Sequence, residues 1–365
     1  TAVSIFGAVQ FEDPPSRDSF SATTIPDQEA TATTALRALN EVIPGWQGSL
    51  TLATSSDGSL WSLHWEPTFS VPTAIKTPWE SEPEHASFSA SGFSVAALGT
   101  RPDSSAGFDV RVSPWPTFAI LFDLLDVQSA VWHADWKDSI AWIANPADGS
   151  LPQLHVTDTA YEDGPSSTAI AAMPDGGDLV RWDNDGFVLN APNELSPLDE
   201  IVVLDAEGVE LWALRGTVHA VSPNTIVAIL PTGQGPRWYF VDRATGEATS
   251  VVEHQLNPFP AQSTIVADPE SEIFASLFYV DGGTTEINRT AITIISSELN
   301  APRLIQIDRH VTPIGFARGT PFLVLDDART NNIVFVDWLS GATHILDVPR
   351  DHEVLSVHLS PTSED

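Results

Sequence analysis

The sequence is built from a recurring unit of short apolar strands separated by turns, and this repeat constrains the fold more than any other feature. In residues 130–158, AVWHA, SIAWIAN and QLHVTD are three strand-like segments separated by DWKD and PADGSLP. Comparable units begin near residues 85, 179, 218, 264 and 313. Within each unit the apolar period is two, which is typical of β-strands and excludes a solenoid of helical repeats.

The spacing of the units predicts an all-β architecture. The predicted first strands end at Ser89, Ala134, Trp182, Ser222, Ala267, Ala317 and Ser360. Successive ends are 40–50 residues apart. Four short antiparallel strands in a repeat of this length are the signature of a β-propeller blade. The last copy holds one strand, and residues 48–78 supply a second, third and fourth strand. We therefore expect a seven-bladed β-propeller closed by a C-terminal first strand that joins the N-terminal strands, because an open ring would leave two unpaired sheet edges.

The expected domain organisation is one propeller over residues 47–365, preceded by an N-terminal extension over residues 1–46. The extension is polar and irregular at first, and its pattern then predicts a short helix at about residues 28–43. One face of that helix would carry Leu36, Leu39 and Val42. Two interpretations remain open: a helix packed on the ring, or a linker that holds the propeller away from a membrane anchor.

The charge balance limits the partners. The chain has 49 acidic and 16 basic residues, for a formal net charge of −33, and it contains no cysteine. Because such a surface repels phosphate backbones and anionic lipid heads, nucleic acid is excluded as a partner. The acidity fits either a solubility adaptation or a docking surface. Disulfides, Cys-ligated zinc and thiol catalysis are also excluded.

The beginning of the chain bears on location. The segment TAVSIFGAVQF is mildly apolar, which fits either an edge strand or the end of an anchor or signal segment. No apolar run approaches the ~18 residues that a membrane span needs. We expect an extracytoplasmic protein, with a possible membrane anchor upstream of residue 1.

Two segments resemble known propeller families. DWKDSIAWIANPADGSLPQLHVTD resembles a blade of TolB-like propellers, in which a W-S-P-D-G turn is followed by an apolar strand and a D-G loop. DHEVLSVHLSP is similar to the opening of a WD-repeat blade. Several third strands end in Asp where WD repeats carry W-D: Asp158, Asp205, Asp242 and Asp337. The resemblance covers roughly residues 47–361 and implies the propeller architecture; function is not carried over from it.

Histidines recur near the starts of the first strands, at His85, His133, His219, His310 and His352. No pair has the spacing that binds zinc from one element. In WD-repeat propellers a histidine at this place hydrogen-bonds inside its own blade. We therefore interpret these residues as structural rather than as metal ligands.

The predicted binding surface is the propeller face formed by the second-to-third-strand loops and the inter-blade loops. These loops vary most in length, as expected where the ring does not constrain the surface. The candidate residues are Asp57, Asp103, Asp148, Asp281 and Asp327, with Glu80, Glu82 and Glu84 from the segment WESEPEH. The same aspartates also suit tight turns. No cofactor is predicted, although carboxylates at this mouth, or the fragment WDNDGF at residues 182–187, would suit a divalent cation such as calcium.

The chain contains no G-x-S-x-G, G-x-G-x-x-G or Walker-type loop. We therefore predict a non-enzymatic, monomeric binding or scaffold propeller that binds a protein or a small cationic ligand through its channel-mouth loops. The alternative is a propeller enzyme, namely a metal-dependent lactonase-type hydrolase that uses carboxylates at the channel mouth.

Overall fold

Over the residues that it describes, a computed structural model gives an all-β fold with almost no helix. It describes residues 37–76, 83–92, 94–100, 108–114, 122–135, 137–145, 149–159, 166–192, 199–233, 235–250, 264–280, 289–296, 302–327 and 329–360. All of them belong to one compact unit, Leu36–Asp365. In this part of the chain no helix has the length and apolar character needed to cross a membrane.

Two sheets contain the N-terminal strands. Sheet A joins both ends of the described chain, in the order β27 (Glu353–Ser360), β1 (Ser49–Ser56), β2 (Ser59–Trp65) and β3 (Thr73–Lys76). Sheet B has seven strands in sequence order: β4 (Pro83–Phe88), β5 (Ser94–Thr100), β6 (Phe108–Pro114), β7 (Phe122–Trp132), β8 (Ser139–Ala144), β9 (Gln153–Asp158) and β10 (Ser166–Ala172).

Four further sheets follow, each an antiparallel meander of four strands. Sheet C contains β11 (Asp178–Asp183), β12 (Gly186–Ala191), β13 (Glu200–Leu204) and β14 (Glu210–Arg215). Sheet D contains β15 (Thr217–Val221), β16 (Thr225–Leu230), β17 (Arg237–Asp242) and β18 (Ala248–Ser250). Sheet E contains β19 (Thr264–Ala267), β20 (Ile273–Val280), β21 (Arg289–Ser296) and β22 (Arg303–Ile307). Sheet F contains β23 (Thr312–Phe316), β24 (Phe322–Asp327), β25 (Asn332–Asp337) and β26 (Thr343–Asp347). These sheets are consistent with propeller blades.

The seven-stranded sheet arises because one long strand serves two repeats. The first half of β7 pairs with β6, from Phe122 opposite Val112 to Val127 opposite Phe108. Its second half pairs with β8, from Val127 opposite Ala144 to Trp132 opposite Ile140. The sequence predicts a strand that begins with AVWHA at residue 130, but the observed strand begins at Phe122 and runs without a turn to Trp132. One continuous strand therefore ends one four-stranded unit and begins the next.

The first strand of each four-stranded unit, called here the leading strand, contacts the leading strands of neighbouring sheets. These contacts join β27 to β4, β7 to β11, β11 to β15, β15 to β19, β19 to β23, and β23 to β27. At the end of β7 and β11 the approach is close enough for the Ala134 amide to donate to the Trp182 carbonyl at 2.7 Å. The leading strands thus form one connected series that runs through all six described sheets.

Apolar side chains fill the space between successive sheets. The buried residues of the described chain form clusters between A and B, between the two halves of B, and between B and C. Further clusters lie between C and D, between D and E, between E and F, and between F and A. Because side chains alternate along each strand, each sheet presents one apolar face to the preceding sheet and the other to the following sheet. This explains the apolar period of two in the sequence.

The helix is shorter than the sequence predicts. Helix α1 covers only Leu39–Val42, because Ala38 has extended backbone and the Ala38 amide is held by the Glu41 carboxylate. Residues 28–36 lie outside the described part. Leu39 and Val42 are buried between sheets A and F, so the end of the extension packs on the propeller-like unit.

Candidate functional site

A recess of about 450 Å³ opens where the leading strands end and turn into the following strands. Five sheets contribute to its lining: B after β7, C and D at their first turns, E at the β19–β20 turn, and F at the β23–β24 turn. These turns lie at the opposite strand ends from the second-to-third-strand loops. The recess is therefore on the other face from the predicted binding surface.

Two residues that line the recess, Arg181 and Asp183, form a buried ion triad with Arg243. The Arg181 Nε donates to Asp183 Oδ2 at 2.6 Å, and the Arg243 Nη2 donates to Asp183 Oδ1 at 2.6 Å. All three side chains are less than one tenth exposed. Burial alone would raise the pKa of Asp183, but the hydrogen bonds and charges of Arg243 and Arg181 outweigh it and hold this pKa below its usual value. Asp183 is thus ionised at neutral pH.

The same arginines connect different sheets. Arg181 donates from sheet C to the Val221 carbonyl of sheet D at 3.4 Å and to the Pro269 carbonyl of sheet E at 3.0 Å. Arg243 reaches the Pro223 carbonyl and the Gly186 carbonyl, both at 3.2 Å. A guanidinium group has five donors in a rigid fork, which suits it to joining several carbonyl groups at once.

Arg318 crosses the recess from sheet F. Its Nη1 donates to the Ala134 carbonyl of sheet B, and it lies 3.7 Å from Glu270 Oε1 of sheet E. Burial lowers the pKa of Arg318, although the neighbouring carboxylates oppose this effect. Burial and then the charge of Arg318 lower the pKa of nearby His358 to about 4. His358 is therefore neutral at neutral pH, and Arg318 retains its charge.

Hydrogen bonds join the turns around this face from one four-stranded unit to the next. The Ser91 hydroxyl donates to Asp138, the Lys137 ammonium donates to Asn184 at 2.7 Å, and the Asn184 amide donates to Asp135. Farther around, Glu272 accepts from the Ser222 hydroxyl and the Asn224 amide, and Glu270 accepts from the Gly319 amide. The recess is thus held in shape by bonds between sheets.

Of the predicted site residues, only Asp57 and Asp327 have side chains in the described part of the chain. Asp57 is exposed in the β1–β2 turn with a φ of 51°, so it serves the tight turn there. Asp327 is buried at the end of β24, 2.9 Å from Arg309 Nη1, and it accepts from the Thr330 hydroxyl at 2.7 Å. Asp103, Asp148, Asp281, Glu80 and Glu82 lie outside the described residues. Glu84 lies in β4, and its side chain is not described.

Burial would raise the pKa of Asp327, but hydrogen bonds from Thr330 and Arg309 and the charge of Arg309 lower it. Its neighbour Asp326 differs, since burial and the charges of Asp327 and Glu353 raise its pKa to about 6. The two adjacent carboxylates therefore have opposite shifts. Asp327 therefore has a structural role, since its carboxylate links the end of β24 to Arg309 and Thr330.

The histidines have structural contacts. His352 Nδ1 lies 2.9 Å from Thr54 Oγ1 within sheet A, and His133 Nδ1 accepts from the Asp135 amide at 3.1 Å. These bonds confirm the structural interpretation for both residues. Two other rings pack on aromatic side chains, His219 on Trp238 and His310 on Tyr279. Across the described ranges no group of three or more His, Asp or Glu side chains is arranged to hold a metal ion.

Sequence reasoning missed the recess because its residues come from five repeats. Asp183 was considered only as part of a calcium-loop fragment. The available signal was the scarcity of basic residues, 16 in the whole chain. Arginines next to apolar strand positions, as in LVRWD at residues 179–183, mark positions where a cation is retained in a strongly acidic protein.

No family model matches the chain, and no curated protein matches it. Solved structures do match. The acylaminoacyl peptidase of Pyrococcus horikoshii aligns with a TM-score of 0.55 at 12% identity over 82% of this chain and 50% of the peptidase. This chain thus spans about half the length of that enzyme.

Two other structures match over most of their own length. The β-propeller domain of the Trilobed protease from Pyrococcus furiosus aligns with a TM-score of 0.52 at 10% identity, over 84% of this chain and 88% of that domain. An uncharacterised protein of Listeria monocytogenes aligns with a TM-score of 0.52 at 10% identity, over 86% of this chain and 94% of that protein. At these identities the likeness concerns the fold. The resemblance to β-propellers is confirmed.

Proposed function

We propose that the chain is a seven-bladed β-propeller, closed between its two ends, that acts as a non-enzymatic extracytoplasmic binding or scaffold module. Its partner is a protein or a small cationic ligand, bound at the recess formed by the first-to-second-strand turns. The observation that carries this proposal is the recess itself, lined by five sheets whose turns are hydrogen-bonded to one another.

Strand pairing and packing support the closed ring. Strands β1 and β27 pair from Ser49 opposite Ser360 to Ser55 opposite Glu353. If the two halves of sheet B are separate blades, the seven apolar clusters correspond to seven interfaces between successive blades. The propeller domain of the Trilobed protease has an open velcro topology. Closure by β27 would distinguish this chain from that domain.

The form of the recess supports binding. Ligand sites are concave, commonly 300–1,000 Å³ in volume, and mostly preformed. This recess has a volume of about 450 Å³, and its bonds between sheets fix the positions of its polar groups. A site supported in this way loses little conformational entropy on binding.

Charge supports a cationic partner. The lining includes the carboxylates of Asp135, Asp183, Asp185 and Glu270 and the guanidinium groups of Arg181 and Arg318. The chain carries a net charge of −33, so its field attracts cations and repels anions at long range. The extracytoplasmic location rests on the resemblance to TolB-like blades, and sequencing the gene upstream of residue 1 would test it.

The binding proposal is tested with a tetralysine peptide and two triple variants of equal charge. One variant neutralises the mouth, with Asp135→Asn, Asp185→Asn and Glu270→Gln. The control neutralises exposed acids elsewhere, with Glu207→Gln, Glu210→Gln and Glu247→Gln. We expect the mouth variant to weaken binding about tenfold or more and to flatten its salt dependence, whereas the control changes affinity by less than about twofold. Equal effects of the two variants would overturn the proposal.

The enzymatic alternative has its own test. A lactonase-type hydrolase that uses mouth carboxylates needs a divalent ion held by oxygen ligands. Metal analysis of the purified protein decides between the two hypotheses. A stoichiometric divalent cation would favour the enzyme, and metal below about one tenth of the protein concentration would favour the binding module.

A further inference from the structure

In the described part of the chain, β10 is the last strand of sheet B and has a neighbouring strand on one side only. No described residue forms a backbone hydrogen bond with its outer side. The bulge at Ile170 interrupts this edge, so its regular part is Ser166–Ala169, where all four side chains are exposed. A strand edge of this kind presents backbone N–H and C=O groups that can pair with another chain.

The edge at β10 carries no charge, which distinguishes it from the other outer strands. Its sequence, SSTAIAA, contains no ionisable residue and no proline. Charged side chains on an edge strand oppose its pairing with another chain. Every other described fourth strand of four or more residues carries such a side chain: Lys76 in β3, Asp123 in β7, Arg215 in β14, Arg303 in β22 and Asp347 in β26. Among these strands, only β10 lacks this protection.

Exposed apolar side chains lie near both ends of β10. Of the nine large apolar residues that are exposed in the described ranges, three are near this strand: Leu151, Val209 and Leu211, at 64%, 61% and 54% exposure. Leu151 precedes Pro152, whose carbonyl accepts from the Met173 amide just after β10 at 2.7 Å. Val209 and Leu211 belong to the β13–β14 hairpin of sheet C.

The turn of that hairpin packs directly against β10. A Cβ placed on Gly208 would lie 2.6 Å from the Ile170 Cγ2 and 3.0 Å from the Ala171 Cβ. Ile170 and Ala171 in turn pack on the apolar cluster between sheets B and C. The next residue, Val209, therefore lies beside the open edge. The name β10 stripe is used below for β10 together with Leu151, Val209 and Leu211.

We propose that the β10 stripe is a second interaction surface, at which an extended, basic segment of a partner protein adds a strand to β10 and packs apolar side chains on Val209 and Leu211. Strand addition gains affinity from backbone hydrogen bonds and specificity from alternate side chains. Apolar surface that is exposed in one place marks sites of association. The stripe is not part of the lining of the recess, so this inference does not depend on the proposed function.

Charge determines the kind of partner. Asp175, three residues beyond β10, is exposed, and so is Glu210, between Val209 and Leu211. The chain as a whole has a net charge of −33. A second copy of the chain would bring the same acids to the interface and be repelled, whereas a basic segment is attracted.

The probe is a fluorescein-labelled nonapeptide of alternating valine and threonine with a lysine at each end. Two matched peptides carry glutamate at both ends or proline at the central position. We expect the lysine peptide to bind with a dissociation constant below about 1 mM in fluorescence anisotropy. The glutamate and proline peptides should bind about tenfold or more weakly, because one is repelled by the acids and the other lacks a backbone donor.

Two double variants locate the binding. Val209→Ser with Leu211→Ser should weaken the lysine peptide about tenfold, and both positions are exposed, so folding does not depend on them. Val71→Ser with Leu339→Ser removes the same two side chains from exposed positions elsewhere and should change affinity by less than about twofold. Thr168→Lys places a charge on the edge itself and should also weaken binding about tenfold.

The proposal is wrong if the lysine peptide does not bind below about 1 mM, if the proline peptide binds equally well, or if the two double variants have equal effects. Sedimentation equilibrium tests the other occupant. A dimer that Val209→Ser with Leu211→Ser abolishes would make a second copy the occupant and overturn the basic partner.

The tetralysine experiment reports on a different surface. Tetralysine has no apolar side chain to place on the β10 stripe, so Val209→Ser with Leu211→Ser should leave its affinity within about twofold. Failure of the tetralysine experiment therefore bears on the recess alone, and failure of the nonapeptide experiment bears on the stripe alone.

Discussion

Arg318 and Ala134 lie 184 positions apart in the sequence, and the guanidinium group of one donates to the backbone carbonyl of the other across the recess. The bond joins the β23–β24 turn of sheet F to the end of β7 in sheet B. Two elements on opposite sides of the recess are thereby connected through one side chain.

We predict that Arg318→Met lowers the free energy of unfolding by about 1–3 kcal/mol, because a charged hydrogen bond is lost and the carbonyl of Ala134 loses a donor. Urea unfolding followed by tryptophan fluorescence measures the change. Arg350→Met, at an exposed position, is the matched control and should change stability by less than about 0.5 kcal/mol. Equal effects would show that Arg318 does not connect the sheets in solution.

Asp183→Asn should be more damaging, since it leaves two buried guanidinium groups without their shared anion. Breaking a buried ion pair in this way costs about 3–5 kcal/mol. The pKa of Asp183 is lowered in the folded state, so its contribution is present above its unfolded pKa and is lost as pH falls through the folded pKa. The difference from wild type should therefore be full at pH 7 and shrink below about pH 4.

Asp185→Asn is the control for this substitution, because Asp185 is exposed two residues away. It should alter stability by less than about 0.5 kcal/mol at either pH. A loss at pH 7 no larger than that of the control would contradict the assignment of Asp183 as the shared anion.

The contribution of Asp326 to stability should have the opposite dependence on pH from that of Asp183. Burial and the charges of Asp327 and Glu353 raise its pKa from 3.8 to about 6. The folded state therefore favours the neutral carboxyl, and stability from this group is fully present below pH 3.8 and lost as pH rises through about 6. Asp326→Asn should raise the free energy of unfolding by about 1–3 kcal/mol at pH 8 and by much less at pH 4.5. Thermal unfolding at the two pH values would show this as a higher unfolding temperature at pH 8. A uniform effect at both values would contradict the raised pKa.

Closure of the ring can be tested with a disulfide, because the chain contains no cysteine. Ser49 and Ser360 are directly opposite each other in β1 and β27, so Ser49→Cys with Ser360→Cys should form an intramolecular disulfide under mild oxidation. The control pairs Ser49→Cys with Ser356→Cys, four residues along the strand and about 13 Å away. Non-reducing electrophoresis distinguishes the looped chain. Equal crosslinking of both pairs would contradict the register.

The sheets were accessible to sequence reasoning because each strand alternates locally and each turn follows within a few residues. The pairing of residues 49–56 with residues 353–360 was predictable for a related reason, since an incomplete unit at each end implies a shared sheet. The continuity of β7 was not predictable, because the segment FDLLDVQSAVW at residues 122–132 suits either one strand or two.

The recess was beyond sequence reasoning for a physical reason. Arg181, Arg318 and Asp135 come from three repeats and have no common spacing. Their proximity follows from how neighbouring sheets are oriented, which local patterns do not encode. Asp327 shows the same limit. Its position at the end of a strand suggested a loop carboxylate, but its side chain is buried and hydrogen-bonded to Arg309 and Thr330.

The central claim is that the working face is formed by the first-to-second-strand turns rather than by the second-to-third-strand loops. Backbone hydrogen–deuterium exchange, with and without saturating tetralysine peptide, tests it without any substitution. We predict slower exchange at residues 134–138, 183–186 and 268–272, with residues 54–60 unchanged. Protection confined to residues 54–60, 101–107 and 281–288, with none around the recess, would contradict the account and favour the opposite face.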